Sequence, residues 1–158
     1  MTNIVQFFGS WLGIFLAYTV KGEDRMVFVT VNPDYSHWYI FYVEIIISFM
    51  MVTAALHVKV DELTLAKENV LKEILFCVAV FAAAGVGGPY SGGCLSPQLC
   101  TSEVTFEAMM KADTESYDKM GLVVPWIFGP YVGGILAGLF TKYISIPSWH
   151  RLEDNQVA

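Results

Sequence analysis

Four apolar runs, at residues 4–20, 37–58, 74–88 and 122–143, constrain this chain more than any other feature. A bilayer core takes roughly 20 apolar residues per helix, fewer where flanking side chains reach the interface. In lipid each backbone N–H and C=O must find a partner within the protein, so every run is expected to be a helix. The 158 residues are 55% hydrophobic, with a mean hydropathy of +0.52, too apolar for a soluble domain of this length. The chain therefore reads as one all-α integral membrane domain over residues 1–158, with a polar tail at 144–158.

An even number of spans puts both termini on one side. The first connection holds Lys21, Gly22, Glu23, Asp24, Arg25 and Asn32-Pro33-Asp34, a polar, turn-prone stretch. Residues 61–73 mix charges with Leu63, Ala66, Val70 and Leu71 at helical spacing, and Glu68 lies four before Lys72. That order favours a helix and predicts a polar lead-in to the third span. Lys59, Lys67, Lys72, Lys142 and Arg151 fall on the side of the termini, and Lys21, Arg25, Lys111 and Lys119 on the other. The positive-inside rule barely orients such a chain. The uncharged start has neither the basic region and cleavage site of a signal peptide nor the Arg-rich pattern of a transit peptide, and is expected to be a retained span.

A formal charge of -6 gives nucleic acid no basic surface to hold. Cys77, Cys94 and Cys100 form neither an even disulfide framework nor a Cys-x-x-Cys motif, and are expected to be buried neutral thiols. His37, His57 and His150 lie at or beyond span ends without ligand spacing, so they read as interfacial side chains and no metal is expected. Trp38, Tyr39, Trp126, Tyr143 and Trp149 fit an aromatic belt. No nucleophile, base and orienting group recur together, so neither catalysis nor a cofactor is implied.

Small residues recur at the spacing that lets helix backbones approach in lipid: Gly9 with Gly13, Gly129 with Gly133, and Gly134 with Gly138. Glu44 is a carboxylate inside a span, costly and by default functional. The stretch "GGPYSGGCLSPQLC" ends the third run in glycines and restarts at Ser96-Pro97, where Ser96 is expected to cap a helix whose first residue lacks only a donor that would be orphaned there. Composition leaves two readings open. One is a re-entrant half-helix over residues 96–108, its irregular backbone buried in protein or lining a wet cavity. The other is a surface loop followed by a short polar helix, which suits Glu103 and Glu107.

Four stretches in order resemble the second half of the major intrinsic proteins, the aquaporin and glycerol-facilitator family. "IVQFFGSWLGIFLAY" is similar to that family's third helix, with Gln6, Gly9 and Gly13 at the matching spacing. "FYVEIIISF" resembles the fourth, whose glutamate falls at Glu44, and "PWIFGPYVGGILAGLFTKY" the last. "GPYSGGCLSPQL" stands where the family has a Gly-Pro, a Ser-Gly-Gly and Asn-Pro-Ala-Arg. The resemblance implies an aquaporin-like partial bundle of four transmembrane helices plus one re-entrant half-helix, corresponding to helices three to six of a six-helix fold.

The departures from the family pattern bear on conduction. Ser96 stands at the Asn position and loses the amide donors, Gln98 puts bulk at the Ala position, and Leu99 replaces the selectivity arginine. Carried over without gaps, the other filter positions are Ala84 and Gly93, so the usual constriction is not rebuilt. The resemblance gives Glu44 the role of supporting the pore loop, and Gln6 is expected to be an interhelix hydrogen-bonding group. The expected function is a non-conducting structural subunit of a larger membrane complex, for which the mitochondrial inner membrane is one home. The alternative is a water or small neutral solute channel completed by a second copy or a partner chain. Expected partners are the lipid bilayer and other membrane subunits, or a homo-oligomer for a channel.

Overall fold

The computed structural model of the chain describes residues 2–22, 25–26, 28–60, 63, 68–111 and 118–150. Five helices carry the fold: α1 Thr2–Lys21, α2 His37–Lys59, α3 Asn69–Ser91, α4 Pro97–Lys111 and α5 Val123–Phe140, and no strand occurs among the described residues. A 3-10 turn at Met120–Leu122 leads into α5, and a π-helical turn at Thr141–Ser145 continues it to a last helical stretch at 146–150. Among the described residues, four helical segments are long and apolar enough to cross a membrane: Asn3–Lys21, His37–Lys59, Asn69–Ser91 and Met120–His150.

Local chemistry sets the helix ends. Ser36 caps α2, its hydroxyl accepting the Tyr39 amide at 3.3 Å, and the last turn carries His57 and Lys59 against the negative end of the helix dipole. α3 stops where Gly92 turns left-handed (φ 81°) and donates its amide to the Gly88 carbonyl at 3.2 Å. It starts at Asn69, so residues 69–73 of the lead-in form its first turns, and Glu73 receives Lys59 Nζ at 2.6 Å. The rest of the lead-in, residues 61, 62 and 64–67, and the tail segment 151–158 lie outside the described residues.

α2 packs against α5 and α3, and α4 is inserted between α1 and α5. Two glycines of α5 make the first of these contacts: a Cβ on Gly129 would stand 2.7 Å from Glu44 Cβ, and one on Gly133 2.5 Å from the Ile45 carbonyl. Gly87 does the same for α3, 2.5 Å from Ile47 Cδ1. The other glycines at packing spacing behave differently. Gly9, Gly13 and Gly138 meet no neighbouring atom, and Gly134 touches only Val52. α1 instead turns Trp11, Ile14 and Tyr18 toward Phe106 of α4, with Phe28 closing the cluster, which rotates Gly9 and Gly13 outward.

Trp126 is not a belt residue. It is fully buried with Ile40, Cys94, Cys100, Val104 and Leu122, and its indole N–H donates to the Ser91 carbonyl at 3.0 Å. A tryptophan with a buried partner for its one donor has no need of the interface.

The half-helix mouth as candidate functional site

Between α3 and α4 the chain reverses in five residues, 92–96. Gly92 (φ 81°) and Gly93 (φ 62°) take left-handed conformations, and Leu95 (φ 52°) does so with a side chain, which is sterically costly. Neither glycine has room for a Cβ: at Gly92 it would collide with the Val29 side chain, and at Gly93 it would lie 2.8 Å from the Ala84 carbonyl.

Glu44, fully buried on α2, faces this reversal. Oε1 accepts the Ser91 hydroxyl at 2.6 Å and the Cys94 amide at 3.1 Å, while Oε2 accepts the Leu95 amide at 3.3 Å. Ser91 in turn accepts the Gly93 amide on its hydroxyl at 3.4 Å. Irregular backbone away from water leaves orphan donors, and one carboxylate takes up two of them here.

α4 opens at Pro97. The Ser96 carbonyl accepts Leu99 N at 3.1 Å and Cys100 N at 3.4 Å. Ser96 therefore precedes the helix as expected of a cap, but its hydroxyl donates to Gln98 Oε1 at 3.4 Å, while its carbonyl takes the Leu99 amide. The Gln98 amide nitrogen approaches the Tyr131 hydroxyl at 3.5 Å, and Asn3 Nδ2 donates to the same hydroxyl at 2.7 Å. Gln98 and Tyr131 line two open-sided cavities, as do Asn3 and Pro97. One, about 430 Å³, is lined by Gln6, Leu95, Pro97, Gln98, Tyr131 and Gly134 among others. The other, about 230 Å³, adds Ile4, Phe7, Thr101 and Ile127.

The remaining residues singled out by sequence fall around this mouth unevenly. Gln6 is exposed, lines the larger cavity and makes no hydrogen bond among the described residues, so it joins no helix pair there. Leu99 is exposed and lines neither cavity. Ala84 and Gly93 come together, but backbone to backbone at the end of α3 and outside both linings.

One expectation is overturned, and one of the two open readings loses its support. The cysteines are not three buried thiols: Cys94 and Cys100 form a disulfide across the start of α4, with Cα atoms 5.9 Å apart, and Cys77 is exposed. The reversal brings a loop residue over the first helical turn, a proximity that their separation of six in sequence does not announce. Glu107 does not lie on a surface either. It is 1% exposed, and its carboxylate is met by Lys111 Nζ at 2.8 Å and Lys119 Nζ at 3.1 Å. Paired cations are what permit a buried carboxylate.

Asn3, Ser91 and Tyr131 were not singled out by sequence. Nothing local separates Tyr131 from other span aromatics, but a serine beside a Gly-rich break, opposite an intramembrane glutamate, is a signal that could have found Ser91.

The sequence model of the major intrinsic protein family matches residues 1–141. No curated protein and no solved structure matches the chain significantly. The match covers most of the chain and agrees with an all-α bundle of four apolar helices around a half-helix. This chain belongs to the major intrinsic protein family.

Proposed function

We propose that this aquaporin-like integral membrane protein is a non-conducting accessory subunit that sets its mouth side against other membrane-protein subunits. The observation behind the reading is the uncovered polar mouth. Asn3 and Gln6 are exposed beside exposed Ile4, Val5, Phe8 and Ile135, and they share the mouth with Tyr131, which lies well inside the Met120–His150 span. An amide left facing hydrocarbon costs on the order of 2 kcal/mol or more, so lipid is a poor cover and a polar protein wall a good one.

Within this reading, Glu44 supports the reversal before α4. Gln98 lines both cavities of the mouth, Leu99 contributes no charge, and Ala84 with Gly93 builds no constriction. A second reading, a water or small neutral solute channel completed by a second copy or a partner chain, draws on the same larger cavity. Its amide and phenol groups suit a neutral hydrogen-bonding solute.

Native membranes solubilised gently, resolved on a native gel and identified by mass spectrometry separate the two. Co-migration with many other proteins supports the accessory subunit and names its membrane, the mitochondrial inner membrane being one candidate. A small homo-oligomer, or a pair with a single partner chain, contradicts it and favours the channel.

A further inference from the structure

The Cys94–Cys100 disulfide closes a loop around the segment that opens α4: residues 95–99, including Ser96, Pro97, Gln98 and Leu99, lie between its ends. Both cysteines are nearly inaccessible, at 5% and 3% exposure, packed with Ile40, Val104, Leu122 and Trp126. Cys94 also gives its amide to Glu44, so the bond joins the hydrogen-bonded reversal to the first turn of α4. α4 then leads outward to Lys111, on the same side as Lys119 and the α1–α2 connection with Lys21 and Arg25.

We propose that Cys94 and Cys100 are oxidised from that side of the membrane, that the side therefore faces an oxidising compartment, and that the bond clamps the half-helix mouth. A disulfide persists where thiols are not kept reduced, and this gives an orientation that the near-equal split of lysine and arginine cannot. The oxidant is a thiol oxidase carrying its own reactive disulfide. One cysteine thiolate attacks that disulfide and forms a mixed disulfide; the other displaces it, giving Cys94–Cys100 and the oxidase dithiol, whose two sulfurs take up the two electrons and the two thiol protons. Burial of both sulfurs places the reaction before the reversal docks against α2 and α5. Once docked, the clamp holds Leu95 in its left-handed conformation and keeps the amides of Cys94 and Leu95 on Glu44.

The first test denatures the membranes without reductant in the presence of N-ethylmaleimide, so that any buried free thiol reacts, then removes the reagent, reduces and labels again with an isotopically heavy maleimide. Cys94 and Cys100 are expected to carry only the heavy label, and light label on either overturns the bond. The second places single cysteines at the exposed Asp34 and Glu68 (D34C and E68C, each on a C77S background) and adds a membrane-impermeant maleimide to sealed membranes of known sidedness. Asp34→Cys should react from the oxidising side and Glu68→Cys should not; the reverse, or labelling of both, overturns the orientation. The third reduces the folded wild-type protein with a phosphine until intact mass shows the gain of two hydrogens, which avoids any failure of a variant to fold, and then follows amide exchange. The amides of Cys94 and Leu95 should exchange about tenfold faster or more after reduction, while α2 is unchanged. Unchanged protection would show that hydrogen bonds alone hold the mouth.

Discussion

The two ends of α4 each meet a buried glutamate, and the two are satisfied in opposite ways. At the mouth, Glu44 is surrounded by neutral donors: one hydroxyl and two backbone amides. At the outer end, Glu107 is met by two ammonium groups, and Lys111 also lies over the Phe28 ring at 5.1 Å. The difference follows depth. Deep in a span a lysine is as costly as the carboxylate it would pair, whereas backbone donors freed by the reversal need an acceptor in any case. Near the surface, lysines can keep partial contact with water while they pair.

The largest effect should come from removing the deep acceptor. Glu44→Ala leaves the amides of Cys94 and Leu95 without their acceptor, while the Ser91 hydroxyl keeps the Gly87 carbonyl at 3.3 Å, and is expected to cost about 3 kcal/mol or more. Glu44→Gln, which keeps one acceptor oxygen, should cost clearly less. Denaturant titration of the protein in detergent compares the two, and equal losses would show that the charge, not the acceptors, matters.

Close helix contacts come next. Gly133→Ala places a methyl against the Ile45 carbonyl and the Phe49 amide, backbone that cannot swing aside, with an expected loss of about 1–3 kcal/mol. At the outer end, Glu107→Ala should cost about 1–2 kcal/mol, because Lys111 and Lys119 remain 35% and 17% exposed to solvent. Added salt should narrow the gap between Glu107→Ala and wild type and leave that for Glu44→Ala unchanged, which tests the comparison directly.

The smallest effect is expected on the outward face of α1. Gly9→Ala and Gly13→Ala meet no atom and should shift the stability of the isolated chain by less than about 0.5 kcal/mol. Bulkier Gly9→Leu sharpens the functional reading. If partner subunits cover this face, it should weaken co-migration on native gels while leaving the isolated protein as stable as wild type.

What sequence reveals about this fold depends on how local the determining physics is. The number of apolar helices and the start of α4 follow from apolar runs and from Ser96-Pro97, features read within a few residues, whereas α3, Asn69–Ser91, extends beyond its apolar run at 74–88 at both ends. A carboxylate in an apolar run announces that donors must exist, but not that they are Ser91, Cys94 and Leu95. Trp126 shows the limit: a tryptophan near a span end looks the same whether its indole meets the interface or a buried carbonyl. Glu107 misleads similarly, because one of its two cations, Lys119, lies beyond the end of α4. The outward turn of Gly9 and Gly13 depends on which face of α1 meets Phe106, a tertiary choice with no sequence marker.

Osmotic flow reads whether the mouth formed by this chain conducts. Proteoliposomes holding the purified chain alone are shrunk in a stopped-flow osmotic jump beside protein-free vesicles, across a range of temperatures. Matching rates are expected, with the steep temperature dependence of flow through lipid. Several-fold faster shrinkage with the shallow slope of pore flow would contradict the non-conducting reading and make the chain a channel.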